Sequence, residues 1–396
     1  MILASLLDNF IGPYRSVGWA FRFWPVPVVA FASALAATWL CKRIALQFGI
    51  VDRPDSLVKT HREPIAYLGG IGMLVGLTVG ILAGIFCLRD EVFFGGALKW
   101  LLGVLAGGSI ACFVGLADDI LDMRPSQKIL GQILAAVILV LVGITPNLHR
   151  VAEPLGLPMP HRLDVLFGIA IVMFFVLGAT NSLNLLDGLD GLCGGVTAII
   201  TVAMLVLSVH LATWGYSARY SEVGDSVRIV VCLGLVGGVC GFLPFNRYPA
   251  KIFMGDAGSM LLGFVMAALM LMFAEGVPRW WLASIVVFGL PILDTAVALV
   301  RRLLNHRPLF VSDRGHIYDQ MIDRGISLRK TVAICYALAG IYALIGLVMS
   351  QIKTRYAAAV HACVLVVSAL VVWQRGYLKM EGLRGAVRDG DTSLTD

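Results

Sequence analysis

The sequence is short of charge. Asp, Glu, Lys and Arg make up 14% of its 396 residues, against 59% hydrophobic residues and a mean hydropathy of +0.86. Soluble domains carry roughly 25% charge, and a globule of this length has too little interior to hide so much apolar surface from water. Lipid must therefore be the solvent. The eight cysteines include no CxxC pair and sit in or beside apolar runs, which excludes a disulfide frame or a zinc ribbon and marks them as small buried apolar residues. The first 24 residues lack the basic start, apolar core and small-residue cleavage site of a signal peptide; they read instead as an amphipathic lead-in lying at the membrane interface. Nor is there a soluble domain or a low-complexity tract. The net charge of +6 is spread over many loops, so no nucleic-acid partner is expected.

What is present is a succession of apolar runs of spanning length, each near the roughly 20 residues a helix needs to cross a bilayer. They fall at 25–47, 66–88, 97–117, 128–144, 163–180, 192–213, 227–243, 258–275, 280–300, 331–352 and 356–374. The expected fold is all-α, a polytopic integral membrane protein of about 10–11 transmembrane helices. It forms one domain over 1–376 with a short polar tail over 377–396. Of the 31 basic residues, 20 flank the odd-numbered connections and 11 the other side. Basic excess marks the cytoplasmic side, so the odd connections should face the cytoplasm.

Those connections hold nearly all the unusual sequence. After the third run comes GLADDILDMRPSQK, with Asp118, Asp119 and Asp122 at the membrane edge and Lys128 opening the next run. Adjacent carboxylates near low dielectric repel, and they persist where a cation, a proton or a phosphate-bearing substrate makes use of them. After the fifth run comes NSLNLLDGLDGLCGG, which spaces Asn181, Asn184, Asp187 and Asp190 three apart, on one face of a helical turn or two, beside Gly188. Oxygens gathered without a basic partner suit a hard cation such as Mg2+, which takes one or two carboxylates plus substrate phosphates. After the seventh run, Asp256 lies in a Gly-rich turn before a new helix, where backbone N–H groups can meet phosphate.

The connection after the ninth run carries Arg301, Arg302, Arg307 and Arg314, which either pair with diphosphate oxygens or serve only as the positive-inside anchor. Asp294 lies within the ninth run, where an acid is a functional candidate unless it merely pairs with a basic neighbour. The first connection adds Asp52, Lys59, His61 and the Gly69–Gly70 pair. Together these residues describe a membrane-edge site with acids for a divalent cation and bases for phosphate.

From Asp52 to Gly325, five ordered blocks of this kind make the sequence resemble the polyprenyl-phosphate N-acetylhexosamine-1-phosphate transferases, and the bacterial undecaprenyl-phosphate GlcNAc-1-phosphate branch in particular. The resemblance implies a multi-pass enzyme of the bacterial inner membrane with a cytoplasmic site. Such an enzyme moves a phospho-sugar from a UDP-N-acetylhexosamine to undecaprenyl or another polyprenyl phosphate and releases UMP. It implies Mg2+, with Mn2+ as a substitute, and it is compatible with a homodimer. Carried over residue by residue, Asp118 and Asp119 look like the family's paired aspartates, Lys128 like its phosphate-meeting lysine, and Asp187 like a further member of the catalytic set. Asn184 and Asp256 look like the metal ligands. Asp190, Phe253, Gly188 and Lys59 are implied at the uridine and donor, with Phe253 packing on uracil. Arg301, Arg302, Arg314, His316 and Asp294 are implied around the diphosphate and sugar.

The sequence departs from the family in one place. Where that branch carries HIHH, this chain has His316-Ile317-Tyr318-Asp319, which bears on the identity of the donor sugar; UDP-GlcNAc is the first choice. The muramoyl-pentapeptide transferases are the alternative within the same chemistry. An intramembrane prenyltransferase, suggested by the DDxxD reading of Asp118–Asp122, and an ion-coupled transporter stand further off. The first would need a second aspartate-rich cluster, and the second would place its acids near the bilayer midplane.

Overall fold

The computed structural model describes residues 12, 14, 16–52, 64–149, 160–215, 222–274, 278–307 and 315–379. Backbone polar groups have no water to bond within lipid, so apolar runs of this length fold as helices. A short α1 (Val17–Phe21) leads into α2 (Pro25–Phe48). Then come α3 (Gly69–Leu88), α4 (Phe94–Leu121), α5 (Pro125–Val142) and α6 (His161–Leu186). They are followed by α7 (Leu192–Trp214), α8 (Glu222–Asn246), α9 (Gly255–Phe273), α10 (Pro278–Val287) and α11 (Gly289–Leu304). A short α12 (Ile317–Asp323) precedes α13 (Leu328–Met349) and α14 (Thr354–Gln374). Prolines open α2 and α5, where a missing N–H costs nothing, and Gly49 and Gly143 close them in the left-handed conformation. Among the described residues ten helices are long and apolar enough to cross a membrane, or eleven spans if α10 and α11 count as one.

The ninth apolar run departs from expectation. Rather than one straight span, α10 and α11 meet at a bend of 67°. Phe288 and Gly289 form the joint, and Pro291 in the first turn of α11 lacks an N–H and would crowd the carbonyl of Val287 in a continuous helix. The bend opens a cleft of about 710 Å³ between α6, α11, α13 and α14, lined by apolar side chains such as Phe174, Phe288, Leu293, Tyr342 and Leu365. Leu299 and Val300 on its wall are exposed on the flank of the bundle.

At the centre stands α9. Every residue from Gly255 to Phe273 except Asp256 is buried, as expected of a helix apolar all round. It packs against α3, α4, α6 and α10. Strands β1 (Val51–Asp52) and β2 (Ile65–Ala66) pair antiparallel, and Ala66 bridges to Ile252, so the segment leading into α9 is sewn to the start of α3. The Phe253 N–H reaches the Ala66 carbonyl at 2.8 Å, and the Gly69 N–H reaches the Phe253 carbonyl at 3.0 Å. This end of the central helix carries the polar residues.

Candidate active site

The motif residues lie on helix ends more than in loops. Helix α4 runs past the expected boundary, so Asp118 and Asp119 occupy its last turn, and Asp122 caps it in the left-handed region at φ 50°. Helix α6 extends through Asn181 and Asn184 to the cap at Asp187. Lys128 is in the first turn of α5 and Asp256 in the first turn of α9.

These four helix ends converge. Lys128 Nζ donates to Asp118 Oδ2 at 2.8 Å and to Asp256 Oδ2 at 2.5 Å. Asp118 Oδ1 also accepts the Met123 N–H at 3.0 Å. Asn184 Nδ2 donates to Asp256 Oδ1 at 2.7 Å and to Ser259 Oγ at 3.1 Å. The side chains of Lys128, Asp118 and Asp256 retain 23%, 16% and 26% of their exposure, so the group is open to a ligand without being bathed in water.

The aspartate pair divides its labour. Asp119 turns the other way and accepts the N–H groups of Asp256 and Ala257, at 2.9 and 3.1 Å, with its two oxygens. It is the N-terminal cap of α9, supplied from a neighbouring helix; the positive end of the helix dipole holds it there. Two glycines let the partners meet. Gly255 adopts φ +66°, and a Cβ there would lie 2.4 Å from Asp119 Oδ2, while a Cβ on Gly115 of α4 would lie 2.3 Å from the Asp256 carbonyl oxygen.

Asp187 is partly accessible, and its carboxyl is pushed well above the usual carboxylate range by burial, then by the neighbouring Asp256, Asp119 and Asp190. Such a group gains by a cation nearby. Asp190 accepts the Ala250 N–H at 2.9 Å. Phe253 is partly exposed beside Tyr67, with ring centroids 6.2 Å apart. Tyr67, which the motifs did not single out, hydrogen-bonds the buried Asp52, and burial and that acid raise its phenol above the ordinary value. Asn246, also missed, ties the turn after α6 to the segment before α9: its Oδ1 accepts the Gly191 N–H at 3.1 Å and its Nδ2 donates to the Ile252 carbonyl at 3.0 Å.

Asp294, Arg301, Arg302 and His316 form a second, buried group. Asp294 does not pair with a basic residue on its own helix. Its Oδ2 meets His316 Nδ1 at 2.7 Å and its Oδ1 accepts the Ile317 N–H at 2.7 Å, fixing the start of α12. Both arginines are enclosed. Arg301 is fully buried and donates to the Gly315 carbonyl, and Arg302 is 5% exposed. The space left by the missing Cβ of Gly188 is filled by the Tyr318 phenol. Asn181 donates to Gln132 Oε1 at 3.1 Å. Lys59, His61 and Arg314 lie outside the described residues, as do 1–11 of the lead-in and 380–396 of the tail.

Asp256 and Asn184 carry oxygens that can ligate a hard cation, with Asp187 and Asp190 near them. Among the described residues no three His, Cys, Asp or Glu gather into a metal cage. One carboxylate, one amide and nearby acids are the sparse protein set that Mg2+ accepts when substrate phosphates complete its shell. The donor set fits that ion.

Fold and site together define a polytopic membrane enzyme whose polar centre is assembled from the ends of its spanning helices. Residues 101–274 match the model of glycosyl transferase family 4. A probable undecaprenyl-phosphate N-acetylglucosaminyl 1-phosphate transferase of Bacillus subtilis is 28% identical over 362 residues, covering 90% of this chain and 91% of the relative. A decaprenyl-phosphate N-acetylglucosaminephosphotransferase of Mycobacterium leprae is 31% identical, covering 72% and 73%. A phospho-N-acetylmuramoyl-pentapeptide-transferase of Desulforamulus reducens is 28% identical, covering 72% and 81%. The chain belongs to glycosyl transferase family 4, among its membrane-embedded polyprenyl-phosphate sugar-phosphate transferases.

Proposed function

We propose that the protein transfers GlcNAc-1-phosphate from UDP-GlcNAc to undecaprenyl phosphate in a Mg2+-dependent reaction. The reaction takes place at the cytoplasmic face of the bacterial inner membrane and is the first membrane step of a cell-envelope polysaccharide. The observation that carries this reading is Lys128 shared between Asp118 and Asp256, with Asn184 on the second oxygen of Asp256. One cation on two acids, with Asp119, Asp187 and Asp190 close by, suits a site that takes up a metal and phosphates together.

An oxygen of the lipid phosphate attacks the β-phosphorus of the donor; the new P–O bond forms as the bond to the UMP oxygen breaks, and UMP leaves. A phosphate monoester is already ionised near neutrality, so Asp118 has no proton to remove. It holds Lys128 and the Met123 N–H in place, and Lys128 meets the phosphoryl oxygens. Asp119 fixes the start of α9 and with it Asp256. Mg2+ bound by Asp256 and Asn184 would supply Lewis-acid neutralisation of the diphosphate. Phe253 offers a partly exposed ring to uracil, and the Ala250 N–H ties Asp190 to the segment that leads to Phe253.

The acceptor's tail cannot leave the bilayer, so it enters sideways. The cleft opened by the α10–α11 bend suits it, because Ser182 and Thr295, hydrogen-bonded to each other at 2.9 Å, line that cleft within one turn of Asn184. The test is UMP release by the purified protein with undecaprenyl phosphate, Mg2+ and a panel of UDP-sugars. Release with UDP-GlcNAc supports the reading. Release with the UDP-muramoyl pentapeptide alone transfers it to the other branch, and no release from any donor overturns it.

A further inference from the structure

The turn that carries Asp187 and Asp190 joins α6 to α7, and its backbone is held by side chains from neither helix. At its start, Tyr318 of α12 donates its hydroxyl to the Leu185 carbonyl at 2.8 Å. That carbonyl is in the last turn of α6, where helix carbonyls lack a partner in their own helix. At its end, Tyr336 of α13 donates to the Gly191 carbonyl at 2.6 Å. The Tyr318 ring fills the space over Gly188, where a Cβ would lie 2.2 Å from the phenol oxygen. On its other side the ring stacks on His316, with centroids 5.6 Å apart and planes 10° from parallel. His316 and the Ile317 N–H are held in turn by the two oxygens of Asp294. A continuous chain of contacts therefore runs from Asp294 through His316 and Tyr318 to the turn that carries Asp187.

We propose that Tyr318 is a positioning residue: it clamps the Leu185–Gly191 turn against α12, opposite Tyr336, and so sets where Asp187 and Asp190 stand for the donor diphosphate and its cation. This rests on the reading of the site given above. Tyr318 is buried, and its phenol is spent on a backbone carbonyl of its own chain. It touches no reacting atom; its effect passes through Leu185 and Gly188. Because the turn carries Asp187 and Asp190, assigned above to the donor and its cation, loss of the clamp should be felt by donor and cation and not by the lipid.

The experiment compares wild type with Tyr318→Phe, which keeps the ring over Gly188 and deletes the hydroxyl, and with Tyr356→Phe. Tyr356 is exposed at the start of α14, where its hydroxyl accepts from Arg355, away from the turn and from the apolar cleft. Amide hydrogen exchange over 185–191 should quicken about threefold to tenfold in Tyr318→Phe, the loss expected of one hydrogen bond, and stay unchanged in Tyr356→Phe. The half-saturating Mg2+ concentration and the KM for the UDP-sugar should rise by a similar factor, with the KM for the lipid unchanged. Gly188→Ala should impair wild type and add little in a Tyr318→Ser background, where the colliding ring is gone. Unchanged exchange over 185–191 overturns the clamp. Quickened exchange with unaltered Mg2+ and donor dependence overturns the positioning role. If wild type itself releases no UMP while exchange responds as stated, the clamp stands and the transferase reading falls.

Discussion

Replacing Asp119 by Asn tests the division of labour within the aspartate pair. The carboxylate accepts two N–H groups at the start of α9, one with each oxygen. An amide of the same shape offers one acceptor, and its NH2 then opposes the second N–H. The substitution loses one hydrogen bond to a charged group, worth about 1.5–3 kcal/mol. It also loses the attraction of a charge for a helix N-terminus, about 0.3–2 kcal/mol in a partly buried setting. Relief of repulsion from Asp118 and Asp256, and of the cost of burying a carboxylate, acts the other way and offsets part of that loss. The net cost is about 2 kcal/mol, and for domains somewhat smaller than this one each kcal/mol moves Tm by about 2–4 °C. Asp118→Asn breaks only a partly exposed ion pair, worth about 1 kcal/mol or less. A thiol-reactive fluorophore can follow unfolding in a fixed detergent, since Cys41, Cys112, Cys193, Cys232 and Cys335 are all buried. Asp119→Asn should melt several degrees below wild type and Asp118→Asn close to it. If Asp119→Asn melts with wild type, or Asp118→Asn falls further, the assignment of Asp119 as the cap of α9 is wrong.

Asp256→Asn and Asp118→Asn should each lower UMP release by at least about 10²-fold, the scale seen when one preorganised electrostatic group is removed; near-wild-type turnover in folded Asp256→Asn would remove the metal assignment. Chelation of divalent cations should stop the reaction and added Mg2+ restore it, with Mn2+ as a partial substitute; turnover that persists in chelator refutes the cation requirement. At Gly178, on the wall of the apolar cleft, a Cβ meets nothing within 4 Å. Gly178→Trp should therefore fold, fill the cleft and raise the lipid KM about tenfold while leaving the donor KM unchanged. An unaltered lipid KM would place the tail elsewhere.

The helices were legible because lipid leaves the backbone no alternative: an apolar run of spanning length must be helical, and all eleven runs correspond to helices. The bend at Phe288 was not read, although Gly289 and Pro291 are both in the sequence, because hydropathy is blind to the path of the axis. The site was legible as a set of residues and illegible as a geometry. The spacing DD gives two adjacent carboxylates; it does not say that successive residues on a helix point about 100° apart, so that Asp118 faces Lys128 while Asp119 faces the end of α9. Tyr336 and Asn246 escaped notice, and Tyr318 stood out only as a departure bearing on the donor sugar, for a related reason. Each works through a hydroxyl or amide on a distant backbone group, and no local pattern announces such a bond.

The placement of charge follows the same physics. A site at a membrane edge cannot keep five aspartates in low dielectric on their own account. Here each has a use for its oxygens that does not depend on bulk water. Asp118 and Asp256 share Lys128, Asp119 takes the free N–H groups of α9, and Asp190 takes that of Ala250. Asp187 is the exception: burial, and after it the neighbouring acids, drive its carboxyl upward. The central helix can be apolar from end to end because a neighbour's carboxylate closes its first turn, and Asp256 is its one residue left unburied. The same turn that completes the fold therefore presents the acid to the ligand, which is why a substitution at Asp119 should be read first in stability and one at Asp256 first in turnover.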